Sequence, residues 1–252
     1  MSRYRCDLHI HSCLSPCGDD DMTPANIAGM ATLNGLQIVA LTDHNSTKNC
    51  PAFFGAAKAY GIIPVAGMEL TTSEDVHAVC LFRNLCDAMD FGEFVESRRM
   101  QIKNDPDIFG KQLVMDENDN VCDQEEFLLI NAVNISLDEA HEEVTRRGGV
   151  CYPAHIDRSS NGIIAMLGDF PPDPAFTAFE LNDIGSLDDS VARFPIIKER
   201  GLVHVASSDA HYLTDISEEG FEVELDDEPY SSERVRNALI DYLLGKGGEK
   251  DG

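Results

Sequence analysis

Positive charge is scarce in this chain: 19 Lys and Arg stand against 45 Asp and Glu in 252 residues, a formal charge of −26 and a pI of about 4.4. Long-range attraction to nucleic-acid backbones or anionic membranes is disfavoured, and a basic track for single strands is hard to assemble. On charge, no nucleic-acid polymer and no membrane is expected as a partner, a polymer being disfavoured more than a small metabolite. Oligomeric state leaves no mark. Paired cysteines are missing too. The eight cysteines (6, 13, 17, 50, 80, 86, 122 and 151) form no CxxC pair and no zinc-ribbon spacing. Several sit in strand-like runs such as Val79-Cys80-Leu81-Phe82, where Cys acts as a small buried apolar residue. No apolar stretch approaches the ~18 residues that span a membrane. The N-terminus runs into Tyr4-Arg5-Cys6-Asp7-Leu8 without a signal-peptide apolar region. A reduced, cytoplasmic protein is expected, with no internal repeat and no second domain.

Histidine is what stands out. Six of the eight lie in short polar clusters after apolar, strand-like runs: Asp7-Leu8-His9-Ile10-His11, Thr42-Asp43-His44-Asn45, Val76-His77, Pro153-Ala154-His155 and Ser208-Asp209-Ala210-His211, with Gly67-Met68-Glu69 adding a carboxylate. Between them runs a strand–helix–strand rhythm. Strands are expected at 4–8, 36–42, 62–66, 76–82, 149–153, 176–181, 202–206 and 221–225. Helices are expected from Thr23-Pro24, where Thr caps and Pro starts the turn, and over 50–60, 136–147, 188–200 and 231–244. Near-continuous apolar strands alternating with helices predict a parallel sheet covered by helices. An α/β barrel of about 250 residues is one domain, so 1–245 reads as a single barrel. Residues 86–135 break the rhythm with a helix near 88–103 and a hairpin around 112–122, and read as an elaboration or lid. Residues 246–252 read as a flexible tail.

Such a barrel gathers its strand ends on one face, where residues distant in sequence converge. Imidazoles and carboxylates there suit divalent transition metals, in a number too high for one ion. Each cluster has a plainer account. An isolated HxH is weak, Asp43 could be a cap, Glu69 a loop carboxylate, and His77 a satisfied core histidine. Repetition of the pattern at strand ends is what favours ligands.

The ordered series His9-x-His11, Thr42-Asp43-His44, Gly67-Met68-Glu69, His77, His155 and Asp209-x-His211 resembles the PHP (polymerase and histidinol phosphatase) family. The resemblance implies a distorted (β/α)7 barrel with a small insertion, two or three divalent ions (Mn, Fe or Zn) and phosphoester hydrolysis. Carried over by position, His9, His11, Glu69 and Asp209 would hold a first ion. Glu69 would bridge to a second, completed by His77 and His155, and His44 with His211 and an early acidic residue would hold a third. Asp19 is chosen for that role because it precedes Thr23-Pro24 by the spacing of the family branch that uses Asp; Asp20 and Cys17 are the other choices. Clustered ions would lower a bound water's pKa from ~15.7 toward ~7.

Asp43 is expected to orient His44 or to cap the turn after it. Arg158 is expected to clamp phosphate through its fork of donors, unless it pairs with Asp157 on the surface. Asn45, Ser159 and Asn182 are weaker candidates for the substrate pocket. The leading expectation is a phosphatase of a small phosphorylated metabolite or nucleotide. An exonuclease or oligonucleotide phosphodiesterase is the second, and a metal-stabilised regulatory module the third.

Overall fold

The computed structural model describes residues 1–218 and 220–246. Apart from Lys246, the expected tail at 246–252 lies outside the described residues. Strands β1 (Ser2–Ile10), β2 (Ile38–Leu41) and β3 (Ile63–Thr71) lie parallel and side by side, linked by α1 (Pro24–Leu33) and α2 (Cys50–Tyr60). Thr23 Oγ1 accepts the Asn26 N–H ahead of Pro24, whose missing N–H costs nothing in a first turn. Gly61 ends α2 in the left-handed region at φ 73°, where a Cβ would be strained.

The expected parallel sheet fails at the next strand. β4 (His77–Phe82) pairs antiparallel with β3, because residues 72–76 are too few for the crossover of about a dozen residues that a parallel neighbour needs. His77 therefore begins its strand instead of ending it. The reversal still leaves it on the rim where β3 delivers Glu69.

After β4 come α3 (Leu85–Glu96), α4 (Pro106–Phe109), the hairpin β5 (Leu113–Met115) and β6 (Val121–Gln124), α5 (Leu137–Arg146) and β7 (Val150–Pro153). α3 is shorter than the expected helix and belongs to the core, with Ala88, Phe91 and Val95 buried. β7 pairs antiparallel with β4. Then follow α6 (Ile163–Leu167), β8 (Ala178–Leu181), α7 (Leu187–Arg193), α8 (Pro195–Arg200), β9 (Val203–Ala206), β10 (Phe221–Leu225) and α9 (Ser232–Leu243). The helix expected over 188–200 is two helices, since Pro195 has no N–H to continue α7 and keeps Phe194 out of the helical region, at φ −120° and ψ 83°.

Six strands form one curled sheet in the order β10-β1-β2-β3-β4-β7, and the parallel pair β8-β9 forms a second. The pair spans the gap between β7 and β1. Ile156 donates its N–H to Glu180 O past the end of β7, and His11 donates to Ala210 O past the end of β9. A distorted barrel results, with β10 running antiparallel outside β1. Strand side chains alternate between two cores. Leu8, Ile38, Ala40, Val65 and Val79 share one with Val235, Leu239 and Leu243 of α9. Ile10, Val39, Leu41 and Ala66 share the other with buried faces of α1, α2, α3 and α5.

The elaboration is tied to the rim loops. Leu113 N–H donates to Cys13 O, and Met115 N–H to Asn49 Oδ1. Lys48 pairs with buried Glu125.

Candidate metal centre

The rim collects imidazoles because strand registers bring them level. β1 and β2 change register between Asp7 and Ile10, an irregularity that re-aims the strand end. His9 and His11, two apart on one side, bring their Nε2 atoms within 3.2 Å. β2 ends at Leu41, but pairing continues as a parallel bridge between His44 and Glu69. Glu69 is thus not a loop carboxylate. It lies inside β3, is 1% exposed, and forms the hub of the site. Its Oε2 lies 3.4, 3.2 and 3.1 Å from His9 Nε2, His11 Nε2 and His44 Nδ1. Its Oε1 lies 2.8 and 3.0 Å from His77 Nδ1 and His155 Nε2. Asp209 Oδ1 closes the ring at 3.4 and 3.1 Å from His9 and His11 Nε2.

Backbone strain marks the same places. His155 (φ 28°), Asp209 (φ 51°) and Asn45 (φ 48°) occupy the left-handed region without being glycine. Each such residue costs on the order of 1–3 kcal/mol, which the surrounding contacts must offset.

Electrostatics divide the histidines. Burial opposes charge on His9, but Glu180, Glu69 and Asp209 outweigh it and push its pKa well up. Burial likewise opposes charge on His11, where hydrogen bonds to Asp209 and Glu69 raise it to about 9. His44 goes the other way: burial, reinforced by neighbouring His11, His77 and His211, outweighs Glu69 and drives it well below the usual range. Burial and the His11 charge lower His211 to about 4. Glu69 and Asp209 resist the upward push of burial and stay well below the usual carboxylate range, Glu69 through His77, His9 and His44, Asp209 through His9 and His11.

The residues fit divalent ions. Buried His44 Nδ1 and His77 Nδ1 make no hydrogen bond even though carboxylate oxygens are near, as expected of lone pairs aimed at a common point. Three groups converge: His9, His11, Glu69 and Asp209; His44, Glu69 and His77; and His11, His44 and His211. His155 joins the second through the oxygen it shares with His77. Asp19 stands apart from all three groups. Its N–H donates to His211 O, but its carboxylate accepts the Asp21 N–H. Asp20 pairs with Lys111, and Cys17 is exposed.

The other expected residues divide by what their polar atoms already do. Asp43 touches no imidazole; its carboxylate accepts Ser12 N–H, Ser12 Oγ and Ser15 Oγ, each at 2.7 Å. It acts on the centre through Ser15, whose Oγ accepts the His44 N–H and lies 3.0 Å from His11 Nδ1. Asn45 is committed elsewhere, against the expectation of a substrate contact. Its amide donates to Leu129 O and Asn131 O and accepts the Thr71 N–H. Arg158 does not pair with Asp157, whose oxygens take Asn182 N–H, Asp183 N–H and Ser186 Oγ. Arg158 reaches Asp209 Oδ2 at 2.6 Å and Asn182 Oδ1 at 3.2 Å. With Ser159 it lines a cleft of about 530 Å³ that also includes Ile164, Arg193 and Phe194. Sequence reasoning missed Glu180, which lies 2.8 Å from His9 Nδ1. The signal was a charge within the apolar run Phe179-Glu180-Leu181, where burial demands a partner.

The family model of the PHP domain matches residues 7–168. Over 90 residues, 35% of this chain, the sequence is 38% identical to the PolC-type DNA polymerase III of Thermotoga maritima, and spans 6% of its length. Among solved structures, the lesion-specific endonuclease Q of Pyrococcus furiosus superposes with a TM-score of 0.61 at 19% identity, covering 98% of this chain and 57% of the endonuclease. A two-domain protein of Bacteroides vulgatus containing a predicted PHP-like metal-dependent phosphoesterase superposes with a TM-score of 0.53 at 15% identity, over 98% of this chain and 63% of that one.

One expectation is overturned here. Net charge argued against a nucleic-acid polymer, yet endonuclease Q, of the same fold, has been solved with a 27-mer duplex whose abasic lesion lies at the active site. A global charge sum does not report the local field at a rim where cations would sit beside Glu69 and Asp209. With its model matched over more than half of the sequence and its ligand-type residues converging on one rim, this chain belongs to the PHP domain family.

Proposed function

We propose that the chain is a metal-dependent phosphoesterase, acting first on a small phosphorylated metabolite or nucleotide. The observation that carries this reading is Glu69, a single buried carboxylate in reach of five imidazoles. His9, His11, Glu69 and Asp209 would hold one ion, Glu69, His77 and His155 a second, and His44 with His211 a third, with manganese, iron or zinc suited to this nitrogen–oxygen set. When bound, such ions acidify water and neutralise charge on phosphoryl oxygens.

The chain's own residues supply the rest. Arg158, held by Asp209 and Asn182 and lining the cleft, would orient the phosphoryl oxygens by exchanging one of these partners for the substrate. Ser159 adds a hydroxyl on the same wall, and Ile164 with Phe194 offers apolar surface to the ester's organic group. Ser15, backed by Asp43, holds the His11 ring and the His44 backbone from behind. Of the elaboration at 86–135, the part beyond α3, tied to the rim loops at Cys13 and Asn49, would act as a lid.

A second reading, hydrolysis of a nucleic-acid phosphodiester, draws support from the duplex bound to endonuclease Q. Two readouts on manganese-loaded protein separate them: inorganic phosphate release for monoesters and fragment length for oligonucleotides. The substrates are phosphomonoesters, nucleotides and single- and double-stranded oligonucleotides, with His44→Ala as the control. Release from one monoester class supports the first reading, and cleavage of oligonucleotides alone supports the second. Bound metal without any hydrolysis would sink both in favour of a regulatory module.

A further inference from the structure

We propose that Glu180 is a positioning residue that fixes two metal ligands at once, the ring of His9 and the backbone of His155. The proposal rests on the metal centre described above, though not on any particular substrate. β8 is buried throughout, and Glu180 within it is 1% exposed. A carboxyl group there is costly to bury unless its polar atoms find partners. Its partners are specific. Oε1 lies 2.8 Å from His9 Nδ1 and accepts the His155 N–H at 3.3 Å. The main-chain oxygen accepts the Ile156 N–H at 2.9 Å. One residue of β8 thereby touches the end of β1 and the chain leaving β7.

The geometry separates this role from that of a ligand. His9 Nε2 faces His11, Glu69 and Asp209, whereas Glu180 contacts the other ring nitrogen. Glu180 is also absent from each of the three convergent groups among the described residues. A carboxylate accepting from Nδ1–H leaves the Nε2 lone pair directed at the centre and limits rotation of the ring. At His155 the same oxygen holds a backbone in the left-handed region, at φ 28°, which a non-glycine residue adopts only under constraint. Loss of Glu180 would therefore loosen a ligand of each of two groups. The neighbouring imidazole is backed differently: His11 Nδ1 meets the Ser15 hydroxyl, and the carboxyl group of Asp43 stands one residue further back.

The test uses zinc and no substrate. Zinc affinity is measured by chelator competition on the wild-type chain, Glu180→Gln and Glu180→Leu. The proton on His9 Nδ1 is followed by ¹⁵N-resolved NMR of the zinc-loaded proteins. Glu180→Gln keeps the volume and an acceptor, and guards against a simple failure to fold. Expected are a drop in affinity of about 10–100-fold for Glu180→Leu, a smaller drop for Glu180→Gln, and loss or upfield movement of the His9 Nδ1–H signal. Unchanged affinity and an unchanged signal in both variants would overturn the proposal, as would a wild-type chain that binds no zinc. A chain that behaves as expected here but hydrolyses nothing would refute the phosphoesterase reading alone.

Discussion

His77 stands directly across from Thr71 in the β3–β4 register, and its Nδ1 reaches diagonally to Glu69 Oε1 at 2.8 Å. A tight antiparallel turn thus does here what a strand end does for His44. It places an imidazole over the central carboxylate. The site is built from two kinds of strand junction, and both leave their polar residues on one rim.

Removing a ligand should cost activity and spare the fold. His44→Ala and Asp209→Ala are each expected to lower hydrolysis about a hundredfold or more, since losing a partner behind a ligand alone costs about 10–100-fold. Steady-state rates on metal-loaded protein, with circular dichroism as the fold control, check this. Full activity in either variant with metal present would refute the assignment.

Asp43 should matter for both stability and metal. Its carboxylate accepts three hydrogen bonds, and Asp43→Asn replaces one accepting oxygen with a donor that faces hydroxyl and N–H groups. Leaving a buried donor unmatched costs about 1–3 kcal/mol. Urea unfolding should show that loss, with weaker metal binding because Ser15 no longer holds His11 and His44 in place.

Metal affinity should rise with pH. In the metal-free protein His11 keeps its proton up to about 9, and His9 is also shifted well up. An ion must displace those protons, so binding strengthens as pH increases toward about 9 and releases protons below it. Calorimetric titrations in buffers of different ionisation enthalpy measure the release. Chelation should correspondingly lower the melting temperature, since an ion at 100 times its Kd contributes about 2.7 kcal/mol.

Acid should loosen the elaboration through Glu125. Burial raises its pKa, but the Lys48 hydrogen bond and the Arg99 charge outweigh burial and hold it below its ordinary 4.5. As pH falls the unfolded chain therefore takes up the proton first. The stabilisation is complete above about 4.5 and is lost as pH drops through the lower folded value. Hydrogen-exchange protection over 99–128, taken relative to the intrinsic exchange rate at each pH, should fall below that point in the wild-type chain. Glu125→Gln, which has no proton to take up, should show a flat profile. Equal acid sensitivity in both would remove Glu125 as the cause.

Much of this protein is local and therefore legible in sequence. Thr23-Pro24 starts a helix and Gly61 stops one because caps and left-handed turns depend on a few adjacent atoms. The apolar runs at 38–41 and 150–153 are strands because each is buried on both faces. The histidines after such runs stood out because polar residues beside buried strands need partners.

What only the tertiary structure decided is direction and partnership. Apolar runs read the same whether a strand is parallel or antiparallel, so the reversal of β4 was invisible until the short 72–76 link was seen to close a hairpin. Asn45 looked like a substrate contact, yet its amide is spent on Thr71, Leu129 and Asn131, the last two more than eighty residues away. Glu180 stood in an apolar strand with no nearby motif, and its role at His9 depends on barrel closure across 171 positions. Residue chemistry and local pattern determined that imidazoles and carboxylates would meet; long-range packing alone determined which oxygen faces which ring.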